Sequence, residues 1–311
     1  MSSRPLPPLA VREEEAGGGV KVFAGSPGGG AAVTTLKVYG LAGELRGRAL
    51  RVAGIGDLVT VPEHRRRGYA AALLEAALDA ARRDGCGLAL VHSTIGEEWF
   101  ARLGFARLPA GEASCVTSLP APWPGEPPWV GGADPPGGVP GLRAAGPADV
   151  VALAGLDAAC GGAPFRLIRD RAAWERALGA IDRGGRDPGA PASGGGGTAI
   201  WMIEEGGDPV AYAVVRESGR ALRWLGHGAR PEAGHRLADL FWAAIALARR
   251  RGLSRLEGWH LPAGAGGRTL YPIARRQRRS PLLLARLLDP GLSLAGLDTP
   301  GDCPVSEMDR F

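Results

Sequence analysis

The sequence predicts an α/β protein built as two successive units of one plan: strands, then a helix, then a strand. Three observations carry that expectation. β-branched runs are bounded by glycine, each half has a helix with a single apolar stripe, and a proline-glycine segment separates the halves. The 311 residues suffice for two ordinary domains with real apolar cores. Hydrophobic residues make up 45% and charged residues 22%, which is the balance of a globular chain rather than a disordered one.

In the first unit, residues 20–24 (VKVFA) and 31–39 (AAVTTLKVY) read as strands around the turn GSPGGG, and a third strand covers 50–61. A helix runs from near Gly68 to Arg83, because Leu74, Ala77, Leu78 and Ala81 recur at helical spacing and Gly85 and Gly87 end it. A buried strand at 87–93, a helical turn at 96–103 and a closing strand at 105–119 complete the unit. Residues 119–141 are too rich in proline and glycine to continue either structure, and form a linker laid against a surface by Trp123 and Trp129.

The second unit opens with a strand and helix in LRAAGPADVVALAGLDAA, followed by a helix at 170–181. Residues 182–197 have too few apolar groups to pack and are expected to be mobile. Strands at 198–204, 210–216 and 221–226 lead into a long helix at 231–251, with Leu237, Leu240, Phe241, Ala244 and Ala248 on one face. LSRLEGWHL supplies one more strand. The expected division is 1–118, a linker at 119–141, a second domain at 142–262 and a C-terminal tail at 263–311.

The net charge is +5, and every basic residue except Lys21 and Lys37 is arginine, which reflects overall composition as much as an acidic partner. Cys86, Cys115, Cys160 and Cys303 are widely spaced with no CxxC pair, arguing against a zinc site and a disulfide-stapled fold. The N-terminus has no segment of signal-peptide type, and no apolar run reaches the roughly 18 residues of a spanning helix. A cytoplasmic protein with no membrane contact is expected.

The stretch VTVPEHRRRGYAAALLEAA places three arginines and a glycine between a strand and a helix. A strand that turns into a helix presents the helix's first free N–H groups, and those donors together with the helix dipole attract an anion. Gly68 allows close backbone approach, Ala70 keeps the helix start uncluttered, and Arg65, Arg66 and Arg67 can add charge-assisted contacts to phosphate. The residues alone therefore read as a phosphate or pyrophosphate cradle, or else as an exposed cationic helix start.

The same stretch resembles the acetyl-CoA-binding motif of the GCN5-related N-acetyltransferase (GNAT) superfamily, Arg/Gln-x-x-Gly-x-Gly/Ala, met here by Arg65, Gly68 and Ala70. LVHSTIGEEWFARLGF fits the family's aromatic-x-x-x-Gly-Phe segment through Gly104-Phe105. The wider plan resembles tandem members of the fungal lysine N-acetyltransferase and enhanced-intracellular-survival types. The resemblance implies two tandem units, each a twisted mixed, mostly antiparallel sheet flanked by helices. It implies that Leu58, Val59 and Val61 face the pantetheine arm of acetyl-CoA, while Arg65, Arg66, Arg67, Gly68, Tyr69, Ala70 and Ala71 surround its diphosphate. The equivalent turn of the second half, LGHGARPEAGHRLADL, lacks the pattern, so no cofactor is expected there. MDRF resembles the aromatic C-terminus of the enhanced-intracellular-survival type, which implies that the Phe311 carboxylate enters the site as a base.

The match departs from the family in two places. The family's tyrosine acid is replaced by Phe100, and MSSRPLPPLAVREEEAGG leaves little room for the strand and two helices that members place before residue 20. His92 could take a proton from an ammonium substrate or be a structural histidine bonded to a backbone carbonyl. Asp57 could act as base through water or satisfy a neighbouring backbone group or arginine. Glu97 and Glu98 read equally as a cationic-substrate rim or a solvated helix start, and ARRQRRS (274–280) reads as a solvated surface rather than an RNA contact. The expected activity is acetyl transfer from acetyl-CoA to a primary amine of a small molecule or lysine-like substrate. The alternative is a catalytically weak acyl-CoA-binding protein.

Overall fold

The computed structural model describes residues 7–17, 19–118, 126–127, 138–160, 163–182, 197–262, 273–300 and 303–305. The expectations for Trp123, Trp129, most of 182–197 and Phe311 fall outside the described residues.

In the first half, β1 (Ala10–Glu15) hairpins onto β2 (Val20–Ser26), followed by β3 (Thr34–Leu45), β4 (Arg48–Thr60), helix α1 (Tyr69–Arg83) and β5 (Cys86–Ser93). A single-turn helix, α2 (Glu98–Ala101), precedes β6 (Ala106–Arg107) and β7 (Gly111–Val116). The second half runs β8 (Leu142–Ala144), α3 (Val150–Ala159), β9 (Phe165–Ile168), α4 (Arg171–Asp182), β10 (Thr198–Glu205), β11 (Asp208–Ser218) and β12 (Ala221–Ala229). Then come α5 (Arg236–Arg250), β13 (Arg255–Gly258), β14 (Ala274–Gln277) and β15 (Leu282–Leu287). α5 starts later than expected because Pro231 holds the chain in a short 3-10 turn at Pro231–Ala233.

Two mixed, mostly antiparallel sheets result. The first has the order β1-β2-β3-β4-β5-β15-β6, with β9 beside the far end of β3; the second has the order β14-β7-β13-β12-β11-β10-β8. Each sheet has one parallel pair, β4 with β5 and β12 with β13.

The sheets exchange strands. The segment 105–119 does not close the first unit as a single strand. Leu108 makes its backbone bond to Leu283 at 2.9 Å, and Pro109, which has no N–H to offer a ladder, then ends the pairing. β7 crosses to the second sheet, where it lies between β13 and β14 and buries Ala113 and Cys115 among second-unit residues. In return β15, from the region expected to be a tail, lies between β5 and β6. Its Leu282 and Leu284 join the core under α1, while Leu283 and Ala285 join the opposite face. A strand buried on both faces has no place for polar residues, which is why this segment reads LLLA.

Apolar layers fill both faces of both sheets. In the first unit, Leu73, Leu74, Ala77 and Leu78 of α1 pack on Phe23, Leu36 and Ile55, and the other face is covered by Phe165, Leu167, Leu297 and Val305. In the second unit, α5 lays Leu240, Phe241 and Ala244 on Trp224 and Leu256, while α3 and α4 bring Leu153 and Trp174 onto Tyr212 and Met202. Before β2 the described residues form the strand β1. Its side chains are all exposed, and it is kept by its ladder to β2 and by Lys21, whose ammonium is 2.7 Å from Glu13.

Because each sheet contains a strand from the other half, the chain should unfold in urea as one cooperative transition. Leu284→Ala, at the centre of β15, should cost about 2–5 kcal/mol and lower the single midpoint. Separate transitions for the two halves, followed by circular dichroism, would contradict the exchange.

Candidate functional site

β4 and β5 pair only as far as Ile55 and Val91. Beyond that point β4 continues to Thr60 on its other edge against β3. Between Thr35 and Lys37 of β3, the register on β4 moves from Val59 to Gly56, so β4 carries an extra residue, a β-bulge around Asp57 and Leu58. The bulge bends β4 away from β5 and opens a wedge. Among the described residues no strand pairs with the edge of β4 that faces it at residues 56–60, and such an edge can take an extended ligand with amides. Leu58 packs onto the core, while Val59 is 56% and Val61 37% exposed at the mouth.

The strand then enters the arginine turn. Arg65 folds back, its Nε donating to the Thr60 carbonyl at 3.0 Å, so this arginine holds the turn to the strand. Arg66 has φ 61° and Gly68 φ 89°, two left-handed residues in three. A side chain at Gly68 would be strained by that backbone and would also meet Pro7, 3.0 Å from its Cβ position. The first helical bond runs from the Ala72 N–H to the Gly68 carbonyl at 3.0 Å, so the N–H groups from Gly68 to Ala71 have no backbone acceptor among the described residues. Arg66 and Arg67 are exposed, and among the described residues no ion pair engages them. Tyr69 and Ala70 are half-buried and Ala71 is buried at the helix start. Open amides at a helix start are donors of the kind an anion can take.

Of the residues read as candidate proton carriers, Asp57 lies on the bulge with φ 49° and pairs with Lys37 at 2.7 Å. His92 is half-buried near the end of β5, its ring 5.4 Å from that of Trp259, which follows β13. The two thus sit on opposite arms of the wedge, and the second unit closes on the His92 arm. Phe100 is buried against Trp99 and Phe105. Sequence reading passed over Tyr39 and Lys37. Strand alternation places them together on the face of β3 opposite Leu36 and Val38. Burial, then the charge of Asp57, raises the Tyr39 phenol, so it keeps its proton.

The second unit repeats the wedge without the cradle. β12 pairs with β13 only to Trp224 and carries its own bulge at Leu225. Its turn is right-handed at Gly234, and Arg236 is spent on Asp239 and on Glu205 at 3.0 Å. Beside this wedge lies a cavity of about 730 Å³ lined by His227, Trp259, His260 and Leu261. Trp224 donates its indole N–H to His227 Nδ1 at 2.9 Å. A second cavity, about 1090 Å³, opens beyond β5 along Ile95–Glu98, on the other side of β14. The segment ARRQRRS is therefore not one solvated surface, since Arg278 is 3% exposed and stacks 3.5 Å over Trp259. Among the described residues no helix is long and apolar enough to cross a membrane, and no three metal-ligating side chains gather.

This geometry agrees with what the chain is similar to. Residues 20–107 match the family model for the acetyltransferase (GNAT) domain. A search of curated proteins finds no match. Among solved structures, the GCN5-related N-acetyltransferase from Kribbella flavida superposes with TM-score 0.57 at 16% identity, covering 86% of this chain and 60% of that one. The GCN5-related N-acetyltransferase from Anabaena variabilis gives 0.58 at 14% identity over 87% and 63%. Eis1 from Mycobacterium abscessus gives 0.55 at 16% identity over 86% and 64%. The family model covers part of the first unit, and the likeness to these solved structures, Eis1 among them, is one of fold over 86–87% of the chain. The chain spans about six-tenths of their length.

The cavity histidines give a pH signature. Burial, then the neighbouring His260 and Arg169, lowers His227 from 6.5 to about 3; burial, then Arg278 and Arg275, lowers His260 to about 4. Between those values and 6.5 the unfolded chain binds more protons, so stability should fall as pH drops through that window. Each group contributes a slope of up to about 1.4 kcal/mol per pH unit, and urea midpoints for His227→Asn should show a shallower acid loss.

Proposed function

We propose that the chain is an acetyl-CoA-dependent N-acetyltransferase acting on a primary amine of a small molecule or lysine-like substrate. The observation that carries this reading is the continuity of bulge, wedge and turn. A strand edge at 56–60 that no other strand pairs among the described residues leads through the turn at Pro62–Arg65 to the amides at the start of α1, which suits a slot for pantetheine followed by a cradle for its diphosphate. Residues 20–107, which match the GNAT domain, contain all of it.

In the proposed reaction a substrate ammonium gives one proton to a base, and the freed nitrogen attacks the thioester carbonyl carbon. The C–N bond forms, the C–S bond breaks, and the second nitrogen proton ends on the departing thiolate, leaving an amide and CoA thiol. Holding amine and thioester together supplies much of the acceleration. Asp57 and His92 flank the wedge from its two arms and are the described candidates for base; Phe311 is the third candidate. Tyr39, kept protonated on the Lys37 face, is a described phenol that could serve as a proton donor. The burial of Phe100 favours a second reading, a slow or purely acyl-CoA-binding protein, because a general acid typically adds ~10²–10⁴-fold.

Gly68 is a poor probe of the cradle, since any replacement strains the turn itself. Ala70→Glu puts a carboxylate in the first turn of α1, where the helix dipole tolerates it, so stability should change by less than about 1 kcal/mol. Calorimetry should show acetyl-CoA affinity reduced about tenfold or more. Equal affinity in both proteins would remove the cradle from the reading. Thiol release from acetyl-CoA across an amine panel separates an enzyme from a binding protein.

A further inference from the structure

The geometry points to a second ligand site, in the wedge of the second unit, that takes a small carboxylic acid with an apolar body. It stands apart from the acyl-carrier reading, because every residue of its wall lies outside 20–107. The cavity of about 730 Å³ is bounded by both arms of that wedge: His227 is on β12, while Trp259, His260 and Leu261 follow β13. Its volume is that of a small-molecule site, and Leu237, Leu261, Ala113 and Pro300 give it an apolar lining. The amides of Leu237 and Ala238 are already bonded to the Gly234 and His235 carbonyls, at 3.3 and 3.1 Å. The head group of a ligand therefore falls to side chains.

Three side chains of the wall are open to it. Trp224 donates to His227 Nδ1 at 2.9 Å, so the neutral ring carries its proton on Nε2 and is a donor there. Among the described residues no hydrogen bond engages that Nε2, either ring nitrogen of His260, or the guanidinium of Arg275. Burial holds both imidazoles neutral at pH 7. Arg275 is exposed on β14 and supplies a positive charge, whereas Arg276 is matched by Glu112 at 2.8 Å. Gln277 can donate or accept and favours no head group. A carboxylate can accept from two imidazole N–H groups and from the guanidinium, with charge assistance from the last. An uncharged amide loses that assistance. An ammonium meets two donors and a like charge, and only one imidazole lone pair to accept from it.

The test uses three molecules with one body: 3-phenylpropanoate, 3-phenylpropanamide and 3-phenylpropylamine. Calorimetry on the full chain at pH 7 should show the carboxylate bound at least about tenfold more tightly than the amide, with the amine weakest. The ring ¹⁵N signals of His227 and His260 should shift as the carboxylate binds. Arg275→Gln, on an exposed strand, should remove the preference for carboxylate over amide and leave the amide's affinity nearly unchanged. His260→Phe, which keeps a ring and removes its N–H, should weaken both. Binding of the amide or the amine as tight as that of the carboxylate overturns the inference. So does a preference that survives Arg275→Gln, binding that leaves both histidine signals in place, or no binding of any of the three.

Discussion

The reciprocal exchange of β7 and β15 is the constraint on which the rest of this structure depends. Each strand lies inside the other unit's sheet, next to the second of its two parallel strands, β13 and β5. β5 forms one arm of the wedge that holds the candidate site. Its outer edge is completed by β15 from Leu282 to Leu287, so the site's geometry is set by the last described strand of the chain. Trp259 lies against His92, and Arg278 stacks on Trp259. Arg278 lies on the path the chain takes from β14 in the second sheet to β15 in the first.

Within that frame, backbone strain concentrates where the reading places the ligand. Among the described non-glycine residues, only Arg46, Asp57 and Arg66 have positive φ. Arg46 turns a tight hairpin between β3 and β4, while the other two lie on the bulge and in the cradle. Left-handed non-glycine residues cost of order 1–3 kcal/mol and persist where the surroundings hold them, often at binding sites. The Asp57 conformation is held by Lys37, and the turn by Arg65. The second unit keeps the bulge and splay but has a right-handed turn at Gly234, so the two wedges differ in the handedness of the turn.

Much of this was legible in the sequence where the signal is local. α1 follows from its 3.6-residue repeat, and the cradle follows from a strand, a glycine and a small residue at the helix start. The exchange was not legible, because which sheet takes a strand depends on pairing across more than a hundred residues. The run LLLA after Pro281 did carry the signal of a doubly buried strand, although it lay in a region read as a tail. β1 escaped because AVREEE has no apolar face, and its place comes from backbone pairing. Asp57 read as a base or as a partner of a backbone group or arginine; its pairing with Lys37 depends on the bulge, which local sequence does not announce.

The central claim is that one continuous surface, from the free edge of β4 to the amides of the arginine turn, binds the acyl carrier. Amide hydrogen exchange, measured residue by residue with and without acetyl-CoA, tests it directly. The account predicts slowed exchange at residues 56–60 and 66–71 together. Slowing confined to the second wedge, at residues 225–229, or no slowing anywhere, would contradict it.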